Sequence, residues 1–488
     1  MNRKLAAASI IICVGMLCLS FKVQRVEAIG TIYIRADGSI DPPTAPISTV
    51  DNITYILTGN ITSDADGIVI ERDNTIVDGA GYTVQGAGGG TGIGLSGRSN
   101  VTINNITANN GGCGIELSDS SNNTIYGNNV TDNSIGIYIF SSNNNNIAGN
   151  KVTNNSYGIR LDYSSNSMLR NNAMDSNGCN FGVYGDLPSH FLNDVDASNT
   201  VDGKPVYYWI NRQDMEIPSD CGCLALVNCT HITAKNLKIT NNLEGILLVS
   251  TTNSTISGNN ITANDVHGVC LLNSSNNTMS GNNITANRID GIDLGDSSDN
   301  TMSENNITNS DFCGIQLGHS SNNTITGNNI TNNDSGIELG SSSNNTITGN
   351  NITTNWLGIK LGDSSNNTLT KNKMANNQIG IEFMNSSNNI IYSNNFVDNT
   401  ARQAYIYSYV SNNVWDNGYP SGGNYWSDYN GVDTNHDGLG DTQYIIDANN
   451  TDHYPLMNII PEFPSLLILP LFFIATLLAV IIYKREKV

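Results

Sequence analysis

Apolar residues recur along this chain at a fixed interval. The phrase Gly-Ile-x-Leu, or a close variant of it, stands at Gly114, Gly136 and Gly158, and it returns in the second half at steps of 22 or 23 residues. The later copies begin at Gly245, Gly268, Gly291, Gly314, Gly336, Gly358 and Gly380. No copy places apolar residues at i, i+3, i+4 and i+7, which excludes an amphipathic helix. A constant period of this length indicates one supersecondary unit stacked many times.

Each period contains three short β-branched segments separated by Asn, Gly and Ser. In residues 322–343 they are Thr-Ile-Thr, Asn-Ile-Thr and Gly-Ile-Glu-Leu. Such segments predict strands joined by turns, and Asn suits the turns because it tolerates the left-handed conformation. The sequence therefore predicts an all-β fold, a right-handed single-stranded parallel β-helix with three short strands per coil of about 22 residues and an Ile ladder inside. The alternative, a leucine-rich horseshoe, lacks its Leu-x-x-Leu-x-Leu phrase here.

Breaks in the repeat predict the organisation of the chain. We expect coils wherever the phrase persists and a cap at each end, because an open coil is an unpaired edge. The aromatic residues after position 400 fit the C-terminal cap better than a sugar-stacking platform. The predicted parts are a signal peptide (1–28), an N-terminal strand and cap (29–60), coils (61–184), an insertion out of the helix (185–223), coils (224–400), an aromatic-rich C-terminal cap with an Asp/Asn/Gly loop (401–460), and a sorting-type motif, transmembrane helix and basic tail (461–488).

Both ends of the chain predict export. A basic start, an apolar run and a small-residue site near Ala28 are typical of a secretory signal, with a retained membrane helix as the alternative. Residues 466–483 are apolar and precede a basic tail, so they predict one membrane span with the coils on the extracellular face. The segment Pro-Glu-Phe-Pro-Ser at 461–465 resembles the sorting tails of archaeal exported proteins, which implies that the tail is either retained or replaced by a lipid.

The net charge of −21 excludes nucleic acid as a partner. Many Asn-x-Ser/Thr sequons permit glycosylation of an exported chain, although a repeat made of Asn and Thr produces them automatically.

The coils resemble the parallel β-helix repeats of the carbohydrate-binding and sugar-hydrolase superfamily, and most closely the NosD-like surface proteins of archaea. The segments that carry the resemblance are residues 76–84, the repeated Asn-Asn-Thr-Ile phrases, residues 199–208 and residues 422–429. The resemblance implies the fold directly. For function it implies binding of sugar chains along an outward strand face, where relatives that act on polysaccharides use Asp, Lys or Arg.

The residue x of Gly-Ile-x-Leu is predicted to point outward, because neighbouring residues of a strand face opposite ways. The outward column is Leu247, Cys270, Asp293, Gln316, Glu338, Lys360 and Glu382. Asp293 and Asp296 are candidates for a carboxylate pair in a glycan hydrolase or lyase, with His319 and Asp363 just past the same strands. An ordinary charged ladder is the favoured interpretation. Tyr207, Tyr208 and Trp209, in the predicted insertion, are candidates for substrate binding.

Residues 433–441 predict a calcium site. Asp433, Asn435, Asp437 and Asp441 occupy positions 1, 3, 5 and 9 of an EF-hand-type loop, with Gly at position 6 and the Leu439 carbonyl at position 7. Position 12 is Tyr444 rather than Glu, so the predicted affinity is modest unless Asp447 supplies the missing carboxylate. An Asp/Gly turn without metal is the alternative.

Cys221, Cys223 and Cys229, with His231 nearby, allow either a disulfide or a soft-metal site. The NosD-like resemblance implies copper, whereas export favours a disulfide. The sequence as a whole predicts a membrane-tethered surface protein that binds glycans or envelope components, or has a structural role in the envelope. A polysaccharide hydrolase or lyase and a copper-site maturation factor are the alternatives. The oligomeric state is open.

Overall fold

The computed structural model describes residues 30–407 and 411–461. The chain forms an all-β, right-handed parallel solenoid of about 16 turns, as the sequence predicts. Each full turn has three strands, which form three faces of the solenoid. Within the described residues the only helix is a short 3-10 turn at Pro188–Phe191.

Face 1 carries the Gly-Ile-x-Leu phrase. In the first half, its strands are Ile32–Ile34, Ile68–Ile70, Thr91–Ser96, Cys113–Ser118, Ile135–Phe140, Tyr157–Asp162 and Cys179–Tyr184. In the second half, they are Lys204–Ile210, Cys223–Val227, Ile246–Val249, His267–Leu272, Asp290–Gly295, Cys313–Gly318, Ser335–Gly340, Leu357–Gly362, Ile379–Met384 and Arg402–Ile406.

Faces 2 and 3 are formed by shorter strands. Face 2 comprises Thr54–Leu57, Thr75–Asp78, Val101–Asn104, Thr124–Tyr126, Asn146–Ala148, Met168–Arg170 and Asp194–Val195, then Gln213–Glu216, Thr230–Lys235, Thr255–Ser257, Thr278–Ser280, Thr301–Ser303, Thr324–Thr326, Thr346–Thr348, Thr368–Thr370 and Ile390–Tyr392. Face 3 comprises Ile61–Thr62, Thr83–Gln85, Thr107–Asn109, Asn129–Thr131, Lys151–Thr153, Ala173–Asp175 and Thr200–Val201, then Lys238–Thr240, Asn260–Thr262, Asn283–Thr285, Asn306–Thr308, Asn329–Thr331, Asn351–Thr353, Lys373–Ala375, Asn395–Val397 and Tyr425–Trp426.

The interior is the predicted apolar ladder. Ile325, Ile330, Ile337 and Leu339 of one turn are fully buried and stand in register with their equivalents one turn later. Burial of each such side chain contributes roughly 1.5–3 kcal/mol. The Gly that opens each face 1 strand is needed for close approach: a Cβ on Gly336 would lie 2.5 Å from the Gly358 carbonyl oxygen.

Asn residues have two separate tasks at the corners. Some take the left-handed conformation, as Asn344 does with φ of 59°. Others are buried, and their amides form ladders along the solenoid. The side-chain oxygen of Asn350 accepts the backbone N–H of Asn328 at 2.9 Å, and its Nδ2 donates to the Asn372 oxygen at 2.9 Å. These ladders satisfy backbone groups that would otherwise be buried without partners.

The two halves of the solenoid meet between residues 179 and 249. A hairpin joins face 3 of the first half to face 1 of the second, with Thr200–Val201 antiparallel to Lys204–Ile210. The apolar core is divided accordingly. In the strand Cys223–Val227, Leu224 and Leu226 lie in the second core, whereas Cys223, Ala225 and Val227 pack on the first. The predicted insertion at 185–223 therefore includes strands that complete one half and start the other.

The ends of the solenoid are formed by short strands and aromatic packing. Ile32–Ile34, within the predicted N-terminal strand and cap, pairs in parallel with Ile68–Ile70. At the other end, Arg402–Ile406 pairs with Ile379–Met384, so the coils extend past residue 400. Beyond it, Trp426 stacks on Phe396 with ring centroids 4.3 Å apart, and a hairpin of Tyr444–Asp447 and Asn450–Asp452 completes the end of the chain that the structure describes.

The predicted signal peptide and the predicted sorting motif and membrane span lie almost wholly outside the described residues. Among the residues that are described, no helix has the length and apolar character needed to cross a membrane.

Candidate functional site

The outward column of face 1 has the register predicted from the repeat. Cys270 pairs with Asp293, Asp293 with Gln316, Glu338 with Lys360 and Lys360 with Glu382 on successive strands. Toward the end of the column the charges form an ordinary ladder. Lys360 Nζ lies 2.8 Å from Glu338 Oε1, and both side chains remain about one quarter exposed. A pair of this kind contributes at most about 1 kcal/mol.

The other end of the column contains a compact group of titratable side chains, which we call the junction cluster: Glu244, His267, Cys270, Asp290 and Asp293. Glu244, His267 and Asp290 each precede the Gly of their repeat, so consecutive turns stack them one above another. Cys270 and Asp293 are the x residues of the second and third of these three turns. The cluster lies where the second half begins, beside the end of the first.

The contacts within the junction cluster are short. A Glu244 carboxylate oxygen accepts the His267 backbone N–H at 3.0 Å. His267 Nδ1 lies 3.1 Å from Asp290 Oδ2, although it is not aligned for a hydrogen bond, and His267 Nε2 lies 3.8 Å from Asp293 Oδ2. The Cys270 thiol is 3.8 Å from the same Asp293 oxygen. Glu244, Asp290 and Cys270 are buried, and His267 and Asp293 are exposed over only 15% and 17% of their side chains.

Burial and mutual charge shift the pKa values in the cluster. Burial raises the pKa of Glu244 to about 7 and that of Asp293 to about 6. Burial alone would lower the pKa of His267, but Glu244, Asp293 and Asp290 outweigh it and raise that pKa to about 9. Burial also raises the pKa of the Cys270 thiol. Near neutral pH the cluster therefore holds an imidazolium beside a Glu244 carboxyl group that is only partly ionised.

A hydrogen-bonded bridge closes one side of the cluster. The Tyr157 hydroxyl, on the first half, donates to Asp265 Oδ2 at 2.7 Å, and Arg288 of the second half donates to Asp265 Oδ1 at 3.0 Å. This bridge joins the first half to Asp265, which lies two residues before His267 of the cluster.

The remaining catalytic candidates lie elsewhere. Asp296, His319 and Asp363 occupy the turn after each face 1 strand, exposed and with φ between 48° and 51°. All three occupy the same position of the repeat, where the backbone adopts the left-handed conformation to turn a corner. The structure groups Asp293 with Glu244 and His267 rather than pairing it with Asp296.

The aromatic candidates of the predicted insertion have structural contacts. Tyr208 is buried and its hydroxyl donates to the Phe191 carbonyl at 2.6 Å, so it offers no ring face to a ligand. Tyr207 donates to Asp220 at 2.9 Å, and Tyr207 and Trp209 pack against the first turn of the second core. A groove of about 430 Å³, lined by both apolar and polar residues, adjoins this strand.

Sequence reasoning missed an aromatic surface on face 1 of the first half. Tyr138, Phe140, Tyr163 and Tyr184 follow one another at ring-centroid distances of 6.0, 5.9 and 5.6 Å. Arg160 stands among them, held by Asp162 at 2.9 Å. Tyr138 and Arg160 are x residues of Gly-Ile-x-Leu, so applying the column argument to the first half would have found them. We call this group the aromatic surface.

The three candidate cysteines do not form a common site. All seven cysteines within the described residues are free thiols, so the expected disulfide is absent from them. Cys221 and Cys229 lie in the second core, whereas Cys223, on the opposite side of its strand, lies in the first. His231 is exposed and lies 3.4 Å from Asp214. Cys223 opens the strand and faces the first core, whereas Cys221 and Cys229 lie just outside the two ends of that strand and face the second core.

The predicted calcium loop folds around its own oxygen atoms. Asp433 accepts the N–H groups of Asp437 and Gly438 at 3.1 and 2.9 Å, and Asn435 also accepts from Asp437. Asp441 accepts from Thr434 at 2.8 Å, which lowers the pKa of Asp441 and keeps it ionised. Leu439 follows the turn at Gly438, whose φ is 89°.

The two residues considered for position 12 of the loop have other partners. Tyr444 donates to Asp428, and Asp447 accepts from Asn449 and Asn450 within the terminal hairpin. The donor set therefore fits calcium but has no bidentate carboxylate to complete it.

Comparisons with known proteins agree with this architecture. The family described as right-handed beta helix region matches residues 52–201 and 219–333, which together are more than half of the chain. The family described as periplasmic copper-binding protein (NosD) matches residues 291–431. No curated protein sequence matches the chain.

Several solved structures are similar at low identity. A mutant of the periplasmic alginate epimerase AlgG has 13% identity and a TM-score of 0.34, over 78% of this chain and 83% of that one. The Dettilon tailspike protein has 15% identity and a TM-score of 0.27, over 70% and 62% of the respective chains. The A-module of an Azotobacter vinelandii mannuronan C-5 epimerase has 13% identity and a TM-score of 0.24, over 74% and 87%.

Proposed function

Since the chain belongs to the right-handed β-helix family, we propose that it is a surface protein that binds a glycan chain along the outward side of face 1. The observation that carries the proposal is the aromatic surface. Four rings are in contact along face 1 and its adjoining turn, with Tyr163 edge-to-face against both Phe140 and Tyr184, next to the Arg160 guanidinium and the Asp162 carboxylate. Rigid aromatic rings supply contact area at low entropic cost, and neighbouring polar groups orient a ligand.

The arrangement of the aromatic surface suits an extended polyhydroxylated ligand. Tyr184 is 43% exposed, and Phe140 and Tyr163 are partly exposed. Successive turns repeat at roughly 4.8 Å, so a chain of sugar rings lying along the axis would meet similar groups at each turn. The Tyr157 hydroxyl, on the same face, reaches Asp265 of the second half and adds a hydrogen-bonding group beside the aromatic surface.

Titration of the purified protein against a glycan panel tests the proposal. We expect Tyr184→Ala to weaken binding of the best glycan about five- to tenfold, which corresponds to roughly 1–1.4 kcal/mol for one ring. Tyr126→Ala is the matched control, because Tyr126 is a 56% exposed tyrosine on face 2. Equal effects of the two substitutions, or no binding across a broad panel, would refute the proposal.

Cleavage of the bound glycan is a second candidate function, and the raised pKa of Asp293 favours it. A carboxyl group with a pKa of about 6 can serve as a general acid near neutral pH. The test is release of reducing ends or unsaturated products, with Asp293→Asn losing turnover and the exposed Asp299→Asn retaining it. Absence of products from every glycan that binds would exclude cleavage and leave the binding function intact.

We also propose the location and the cofactor that the sequence indicates. Residues 1–28 would direct export, and residues 466–483 would hold the coils at the extracellular face of the membrane. Calcium would bind weakly at residues 433–441. Cell fractionation with protease protection checks the location, since coils protected from external protease would contradict it.

A further inference from the structure

The junction cluster has the ligand atoms and spacing of a transition-metal site. Glu244, His267 and Cys270 each offer one ligand atom, and these three atoms lie within 4.8 Å of one another. The Asp293 Oδ2 atom lies 3.8 Å from both His267 Nε2 and Cys270 Sγ. In a tetrahedral site with bonds of 2.0–2.3 Å, neighbouring ligand atoms are separated by about 3.6 Å. The contacts of Asp293 with His267 and Cys270 already have about that separation, and the three contacts among Glu244, His267 and Cys270 need to contract by about 1 Å at most.

The surroundings of the cluster also match those of a metal site. A metal-bound imidazole usually directs its second nitrogen to a carboxylate, and His267 Nδ1 lies 3.1 Å from Asp290 Oδ2 when Nε2 faces Asp293. Buried His267 Nδ1 lacks an aligned hydrogen bond, so a small ring rotation toward Asp290 would be favourable. Asp290 is itself fixed by the Cys313 N–H at 2.8 Å. His267 and Cys270 lie on one strand, Asp290 and Asp293 lie on the next strand of the same sheet, and Glu244 lies just before the strand that precedes them.

We propose that Glu244, His267, Cys270 and Asp293 bind one divalent transition-metal ion of the zinc class, with Asp290 orienting the imidazole. A thiol, an imidazole and two carboxylates form a mixed donor set, which suits a borderline ion better than calcium or magnesium. The Cys270 thiol and the imidazolium each lose a proton to solvent when the metal binds. Three of the four ligands precede residue 291, outside the NosD match, and the proposal does not depend on glycan binding.

Zinc titration of the chelator-treated full-length protein tests this site. We expect one equivalent to bind, and Cys270→Ser and His267→Gln each to weaken binding at least tenfold. The matched controls are Cys229→Ser, a buried thiol in the second core, and His319→Gln, an exposed face 1 histidine. Cobalt added instead of zinc should give a thiolate charge-transfer band that Cys270→Ser removes.

Circular dichroism shows whether each variant is folded, so that a loss of zinc binding is not confused with a loss of structure. A folded Cys270→Ser protein that binds zinc as tightly as the unaltered chain would overturn the proposal, as would wild-type protein that binds no zinc. If the Cys270→Ser or His267→Gln protein loses zinc binding but still binds the glycan, the result supports the metal site independently of the proposed glycan-binding function.

Discussion

Substitution of one buried corner asparagine should reveal how much the amide ladders contribute. In Asn350→Ala, the Asn328 N–H loses its acceptor at 2.9 Å and the Ile325 carbonyl loses a donor at 2.9 Å. Both atoms are buried, and each unsatisfied group costs about 1–3 kcal/mol. We therefore expect the local free energy of unfolding to fall by roughly 2–5 kcal/mol.

The neighbouring residue provides the matched control for this prediction. Asn351 has the same side chain one position later, but it is partly exposed, and its amide donates to Asn329 at 2.8 Å on the outside of the solenoid. Asn351→Ala should cost less than about 1 kcal/mol.

Hydrogen exchange of peptides covering residues 324–331, measured on unglycosylated protein, reports the local opening free energy of both variants. Circular dichroism should show that both retain their strands. Equal losses in the two variants, or a loss below about 1 kcal/mol in Asn350→Ala, would refute the reasoning.

Three further predictions concern packing, pH and calcium. Gly336→Ala should destabilise the protein by about 2–4 kcal/mol in urea denaturation, whereas Gly340→Ala, whose Cβ would have its nearest neighbour at 3.8 Å, should be tolerated. The pKa of His267 is about 9 in the folded protein, compared with an ordinary value of 6.5. The protonated imidazole therefore stabilises the folded protein in full below about pH 6.5, and this stabilisation is lost as the pH rises to 9. The unfolding free energy should therefore fall by about 1–3 kcal/mol from pH 6 to 9 in wild type and change less in His267→Gln; parallel pH profiles would contradict this. Calorimetry should give calcium a dissociation constant of about 0.1–1 mM, lost in Asp437→Asn, and no heat in wild type would refute the site.

The repeat made the fold predictable, but the site could be predicted only in part. Within one turn, Ile337 points inward and Glu338 points outward. Because the turns stack in register, equivalent positions of the other repeats have the same orientation. That rule placed Asp293 correctly on the outward side. It could not reveal the meeting of the two halves, because the contact between Tyr157 and Asp265 joins residues 108 positions apart with no repeat relation. Asp296 is hard to assess from sequence for a different reason: a left-handed corner accepts Asp, so a carboxylate at that position carries no information about chemistry.

The coil-by-coil stacking also determines how this molecule can change in length. A typical inner turn bonds only to the turn before and the turn after, through strands and amide ladders that are nearly identical in sequence. Duplication of one 22-residue unit in the gene would therefore insert a compatible layer without disturbing either cap. Growth or contraction of the solenoid by whole turns would change its length while leaving the ends unchanged.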